Sequence, residues 1–283
     1  MSTRHFQHLP KPYLAYPQII RGLIQKKAKG QALPQLEYVV DELRLDAQHL
    51  AKYQQLTGFA QNQHVPALYF AVLSQSLQMQ MMSLAEFPFQ ALGLVHVANE
   101  IQQKRIILAD ECFSLSCRLG ELLPHEKGVV FDFITEVKVA DQVVMTGSSR
   151  YLSKQKGSSV DKVKTTAQPV YLVKDEWQVA ENTGRQYALN SGDFNLIHLH
   201  RLTAKAFGFK RAIAHGMWSK AQVLSRLDLP SAYHAQVDFK LPIYLPSRVE
   251  LLSAENSKIE FLLRNTQDHK PHLVGSVSAL SGI

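Results

Sequence analysis

Two stretches of this 283-residue chain carry one pattern, 134 residues apart. Tyr53, Thr57, Gly58 and His64 in "YQQLTGFAQNQH" are spaced as are Tyr187, Ser191, Gly192 and His198 in "YALNSGDFNLIH". A repeat of this kind restricts the chain to architectures built from two copies of one unit packed together. The element order agrees. "PALYFAVLSQSLQMQMMSL" (66 to 84) has apolar residues at helical spacing and predicts four or five turns. Strand-like runs come after it: "LGLVHVANEI", "CFSLSCRL", "GVVFDFITEVKV" and "QVVMTGSSRYLS". In the second half "GMWSKAQVLSRL" (216 to 227) puts Met217, Ala221 and Leu224 on one helical face, and "AQVDFKL", "RVELLSA", "KIEFLLR" and "HLVGSVSAL" come next as strands. One helix and then about four antiparallel strands, twice over, is an α+β pattern rather than βαβ alternation. The segment "LSKQKGSSVDKVKTTAQ" (152 to 168) is poor in large apolar residues and predicts a linker, with halves at 1–158 and 159–283.

Composition narrows the function classes. With 46% apolar and 19% charged residues the chain is an ordinary globular one. Its net charge of +7 suits anionic partners. The basic residues are scattered, however, "QKKAKG" (25 to 30) being the only tight cluster, and there is no zinc-finger spacing or RNA-binding aromatic pattern, so no nucleic-acid partner is expected. Cys112 and Cys117 lack any metal or redox spacing and are expected as buried thiols of a strand, in a reducing compartment. The N-terminus has charges and prolines where a signal peptide needs an apolar core, and no run of 18 uncharged apolar residues occurs. The expectation is a soluble cytoplasmic protein with no membrane partner.

The stretch "NSGDFNLIHLH" (190 to 200) sets an acid, an amide and two imidazoles among Phe194, Leu196, Ile197 and Leu199. Polar groups carried into apolar surroundings must be paired. Asp193 and His198 are five apart, so a turn has to bring them together, and Ser191 and Gly192 supply one. An Asp and a His so converged can hold one water, the acid as base or orienter, with Asn195 adding a neutral contact. Gly216, in "AIAHGMW", starts the second-half helix, where a backbone N–H favours developing negative charge, and Met217 and Trp218 after it can line an acyl slot. Together these are equipment for adding water to, or removing it from, an α,β-unsaturated thioester.

The run from Tyr187 to Trp218 resembles the signature of the MaoC-like R-specific enoyl-CoA hydratases and 3-hydroxyacyl dehydratases. It matches at Tyr187, Ser191, Gly192, Asp193, Asn195, His198, Gly208, Phe209, His215, Gly216 and Met217, and again at Phe239, Pro242 and Pro246. The resemblance implies a double hot-dog fold, two antiparallel sheets each wrapping a central helix, with Asp193, Asn195 and His198 activating water and Gly216 N–H as oxyanion donor. Leu196 departs from it, standing where the family has Pro, and His200 and Arg201 stand where many members have Asp and Pro. Two-half members often keep one working site. Phe59, at the place of Asp193, agrees with a first half that houses the acyl chain, with His64 as a remnant and Met79, Met81 and Met82 either adapting to the chain or simply packed in the core. Ser191, His215, Met217 and Trp218 are candidate substrate contacts, and Lys210 and Arg211 are candidates for the phosphates of a CoA or phosphopantetheine group.

The expected substrate partner is an acyl-CoA or acyl carrier protein thioester, with no further cofactor and no metal, since the chemistry needs none and His198 and His200 point to different sides of a helix. A homodimer stays open, because two fused halves already supply the pairing. So do a noncatalytic acyl-thioester binder and a hot-dog thioesterase.

Overall fold

A computed structural model describes residues 1–24, 32–155 and 170–280. Most of the expected linker and the "QKKAKG" cluster lie outside the described residues. The first half holds β1 (Ser2–Phe6), α1 (Tyr16–Ile24), β2 (Leu36–Leu43), α2 (Ala47–Thr57), α3 (Ala67–Met82), β3 (Val95–Gln103), β4 (Phe113–Leu119), β5 (Leu123–His125), β6 (Gly128–Val139) and β7 (Gln142–Lys154). The second holds β8 (Leu172–Val179), α4 (Thr183–Ser191), α5 (Arg201–Ala206), α6 (Gly216–Leu224), β9 (Tyr233–Phe239), β10 (Ser247–Glu255), β11 (Ile259–Asn265) and β12 (Pro271–Ala279). None of the described helices is long and apolar enough to cross a membrane.

The strands keep their period of two. In β6 Phe131, Phe133, Thr135 and Val137 turn inward, and Asp132, Ile134 and Glu136 lie between them on the other face. α3 is buried on nearly all sides, with Ala67, Leu68, Tyr69, Phe70, Leu77 and Met81 almost without solvent contact, as befits a helix that a sheet wraps. Met79 and Met82 are buried in the same core. Cys117 is buried in β4, and its thiol is pushed up to about 12 by that burial; Cys112 is half-buried ahead of the strand, not within it.

The two expected sheets are joined. Strand order runs β1-β2-β4-β6-β7-β3-β9-β12-β11-β10-β8, with β5 paired to β6 off this path. The join is the antiparallel pairing of β3 with β9, from Ala98 opposite Asp238 to Gln103 opposite Tyr233. Each half would otherwise leave a strand edge with unpaired peptide groups, and the fusion satisfies both. The sheet is antiparallel throughout except at its end, where β1 runs parallel to β2. β1, β2, β5 and β8 are additional to the strands expected. β8 reads "LVKDEWQV" and is largely exposed, so no apolar alternation marks it.

At the join lies a fully buried lysine. Lys220, on α6, donates from Nζ to Asn99 O at 3.1 Å and Oδ1 at 2.7 Å on β3, and to Ala235 O at 3.1 Å on β9. Asn99 is fixed in turn, its amide donating to Ser148 O and Ser149 Oγ, each at 3.0 Å. Burial lowers the Lys220 pKa to about 7, and the carboxylate of Glu100 opposes that shift. Because the folded value lies below the unfolded one, the unfolded chain binds more protons between about pH 7 and 10.5, and this residue adds stability as pH rises through that window. Lys220→Met is therefore expected to remove a slope of up to about 1.4 kcal/mol per pH unit. Urea midpoints of both proteins at pH 7 and pH 9.5 check this, and equal slopes would refute it.

Candidate active site

The repeated motif sits at equivalent places in the two halves. α2 ends at Gly58 (φ +81°) and α4 at Gly192 (φ +73°), both left-handed, a conformation that glycine adopts without strain. Beyond Gly192 the chain turns through Asp193 into a 3-10 turn, Leu196–His198, whose first amides Asn195 caps by accepting from Ile197 N at 3.4 Å. Leu196 takes the place of the resembled family's proline without loss of this turn. Thr203 Oγ1 donates to Leu196 O at 2.7 Å and to His200 O at 2.9 Å, holding the turn from α5. His200 faces solvent and caps α5 by accepting from Leu202 N.

Asp193, His198 and His215 converge, each offering an atom within 4.8 Å of the others. His198 Nδ1 donates to Ile213 O at 2.8 Å, which leaves Nε2 as a free acceptor. His215 Nε2 donates to the backbone oxygen of Asp193 at 3.0 Å. The two rings are stacked, 3.6 Å apart and 26° from parallel. Burial lowers both imidazoles: His198 against the pull of Asp193, and His215 to about 3, with His198 adding to the effect. Both are neutral near pH 7. The Asp193 carboxylate accepts from Asn195 N at 3.2 Å and remains part-exposed to the cavity.

These side chains open into a cavity of about 390 Å³ that both halves line. Ser191, Asn195, Gly216 and Met217 line it with the three just named. Gly216 is the first residue of α6, so its amide has no acceptor within the helix, and the ring of Phe239 lies against it. Four other candidates lie elsewhere. The Trp218 ring turns into the core and donates from Nε1 to Leu56 O at 3.0 Å, because the next helical position points away from the cavity. Lys210 and Arg211 are exposed and outside the lining, Arg211 lying over the Tyr244 ring. Phe59 packs against the hydrophobic core, also outside the lining. His64 pairs in a bridge with Leu108.

The first half brings residues that the motif does not announce: Ala71, Val72, Gln75 and Gln78 of α3, His96 of β3, and Ser149 and Tyr151 of β7. The His96 ring stacks on Tyr151 at 4.7 Å, and its pKa is lowered to about 4, mainly by burial. Tyr151 donates to Gln78 Oε1 at 3.3 Å. The cations among the lining are Lys154 and Lys240. An acid and two imidazoles could serve as metal ligands. One nitrogen of each ring is already taken by a backbone oxygen, His198 Nδ1 by Ile213 and His215 Nε2 by Asp193.

Comparisons with known proteins agree with this fold. The model of the MaoC like domain matches residues 161–261. The chain is 32% identical over 265 residues to 3-hydroxyacyl-thioester dehydratase X of Mycobacterium tuberculosis, a match that covers 92% of this chain and 95% of the relative. The crystal structure of HtdX from the same organism superposes with a TM-score of 0.77 at 30% identity, over 86% of this chain and all of that one. A MaoC-like dehydratase from Phytophthora capsici shares the fold, with a TM-score of 0.70 at 16% identity over 88% of this chain and 96% of that one. So does a Mycobacterium tuberculosis protein described as a double hotdog, with a TM-score of 0.54 at 10% identity over 84% and 93%.

One close approach sets how firmly His198 is held. A Cβ on Gly184, in the first turn of α4, would stand 2.1 Å from His198 O. Gly184→Ala is expected to cost about 1–3 kcal/mol by forcing α4 and the 3-10 turn apart. Denaturant unfolding of the variant reads this, and an unchanged midpoint would contradict the packing.

Proposed function

The chain belongs to the MaoC-like dehydratase family, and from that premise we propose that it catalyses the reversible hydration of trans-2-enoyl thioesters to R-3-hydroxyacyl thioesters. The observation that carries this reading is the meeting of the Asp193 carboxylate, the free Nε2 of His198 and the start of α6 on one cavity. Both side chains present acceptors. A water that donates one hydrogen to each turns its oxygen lone pair toward a third point, the place for C3 of the acyl group. As the C3–O bond forms, one acceptor takes the water's proton and the alkene electrons move onto the thioester oxygen. The Gly216 amide, at the positive end of α6, stabilises that oxygen. Return of the proton to C2 completes the addition, and dehydration is the reverse. Ser191, His215 and Met217 shape the site around these groups.

The first half is the acyl-chain half. α3 supplies Ala71 and Val72 to the cavity wall, and Phe59 leaves that half without an acid at the place of Asp193. The thioester carrier is CoA or acyl carrier protein, and Lys154 and Lys240 are the cations placed to meet its phosphates. One chain completes the cavity, so a homodimer is not needed for it.

Asp193→Asn and His198→Ala are each expected to lower kcat about a hundredfold to ten-thousandfold with crotonyl-CoA or a longer enoyl-CoA, read as loss of enoyl absorbance. Unaltered slow rates in both variants would make the chain a binder, and release of free thiol would make it a thioesterase. The lowered pKa of His198 adds a second expectation. Its Nε2 stays unprotonated below the ordinary histidine value of about 6.5, so the acid limb of kcat/KM should lie below that pH. A limb above pH 6.5 would contradict a neutral His198.

A further inference from the structure

The loop that carries Asp193 is gripped by a segment from the far end of the chain. A 3-10 turn, Pro12–Ala15, leads into α1 at Tyr16. Pro12 lies against Gly192 so closely that a Cβ there would be 2.6 Å from its Cγ. Tyr16 reaches the other flank, its phenol oxygen accepting from Phe194 N at 2.6 Å. That amide also points to Gly192 O, at the longer distance of 3.2 Å. The Phe194 and Tyr16 rings meet edge to face, 6.4 Å apart at 73°. The residues before and after Asp193 are thus both braced from outside the matched domain of 161–261. Asp193 itself is held by its N–H donating to Ser191 Oγ at 3.3 Å and, from the start of α6, by His215 Nε2 donating to its backbone oxygen at 3.0 Å. Burial and the nearby Asp193 carboxylate raise the Tyr16 pKa, so the phenol stays neutral and its oxygen stays an acceptor with a hydrogen still to donate.

We propose that Tyr16 is a positioning residue for Asp193, the end of an N-terminal strap running from Pro12 that holds the carboxylate at the angle the water requires. The proposal rests on the hydratase reading above. Small misplacements of a reacting group cost rate out of proportion to stability, so the effect belongs in kcat rather than KM.

Tyr16→Phe keeps the ring against Phe194 and removes the oxygen. With crotonyl-CoA its kcat is expected to fall about fivefold to tenfold, with KM within about twofold and the melting temperature close to the parent's. Amide exchange at Phe194 should quicken while that of α6 is unchanged. A kcat within twofold of the parent, or an unchanged exchange rate at Phe194, overturns the proposal. So does a fall in rate that matches a loss of folded protein. Asp193→Asn in the same assay tests the reading by itself: if that variant keeps full activity, the hydratase assignment fails whatever Tyr16 does, whereas its inactivity beside an unaffected Tyr16→Phe sinks the strap alone.

Discussion

A lysine amine shut away from water ties the two half-sheets to the helix that faces the cavity. Lys220 bonds β3 and β9 at once, on either side of the join, and stands one helical turn after Gly216. The other face of α6 is tied as well, since Trp218 and Gln222 both donate to Leu56 O in the first half. A helix held on two faces by both halves cannot swing, and the aim of its first amide is set by the packing of the whole molecule. An unpaired charge so deep would be costly, but three oxygens surround this one, and burial lowers its pKa to about 7.

The duplication explains this cross-bracing and also shows where the halves part. Leu56 and Asn190 are 134 residues apart, each near the end of its helix, and each carbonyl accepts from the opposite half: Leu56 O from α6, Asn190 O from His49 Nε2 at 2.8 Å. Past the repeated histidine the two halves diverge. His64 is separated from α3 by residues 65 and 66, whereas 199–215 lie between His198 and α6. That longer passage holds α5, whose Thr203 secures the turn, Ile213, whose carbonyl fixes the His198 proton, and His215, which braces Asp193. The first half therefore lacks more than the acid that Phe59 replaces. His64, with no such passage after it, makes a surface bridge instead, and the imidazole that the first half does bring to the cavity, His96, comes from β3.

Local and nonlocal features are unequally legible in the chain. The wrapped helix announces itself through length and apolar content, the inner strands through apolar period, and the candidate catalytic loop through residues within six positions of one another. β8 does not, because it opens on exposed Leu172 and Val173 and buries only Val179 fully, which leaves its alternation faint, nor does the fusion of the two sheets, since strand edges carry no record of their partner. Trp218 departs from its expected place for a helical reason: adjacent positions diverge by about 100°, so the neighbour of a lining methionine points into the core. Lys210 and Arg211 sit near the motif in sequence yet outside the cavity lining, although Phe209 and Ile213 beside them are in it, while Lys154 and Lys240 are drawn together by the pairing of β7 with β3 and of β3 with β9. His96, Tyr151 and Tyr16 come from distant segments by the same kind of folding, with no spacing to mark them.

The charge state of the cavity completes the picture. His96, His198, His215 and His272 all line it, and burial lowers every one of them, so the lining holds imidazoles but no imidazolium at neutral pH. A charged ring beside the reacting water would have lost the lone pair on which it is to be held. In the proposed reaction oxyanion stabilisation falls to a donor that does not titrate near neutral pH, and a helix-start amide is such a donor. The stack of His198 on His215 sharpens the division of labour. Charge on one ring disfavours charge on the other, and His215, lowered to about 3, stays neutral and keeps its hydrogen on the Asp193 backbone even while its neighbour accepts a proton. The second imidazole thus holds the loop, and the first keeps the free nitrogen that the proposed reaction uses.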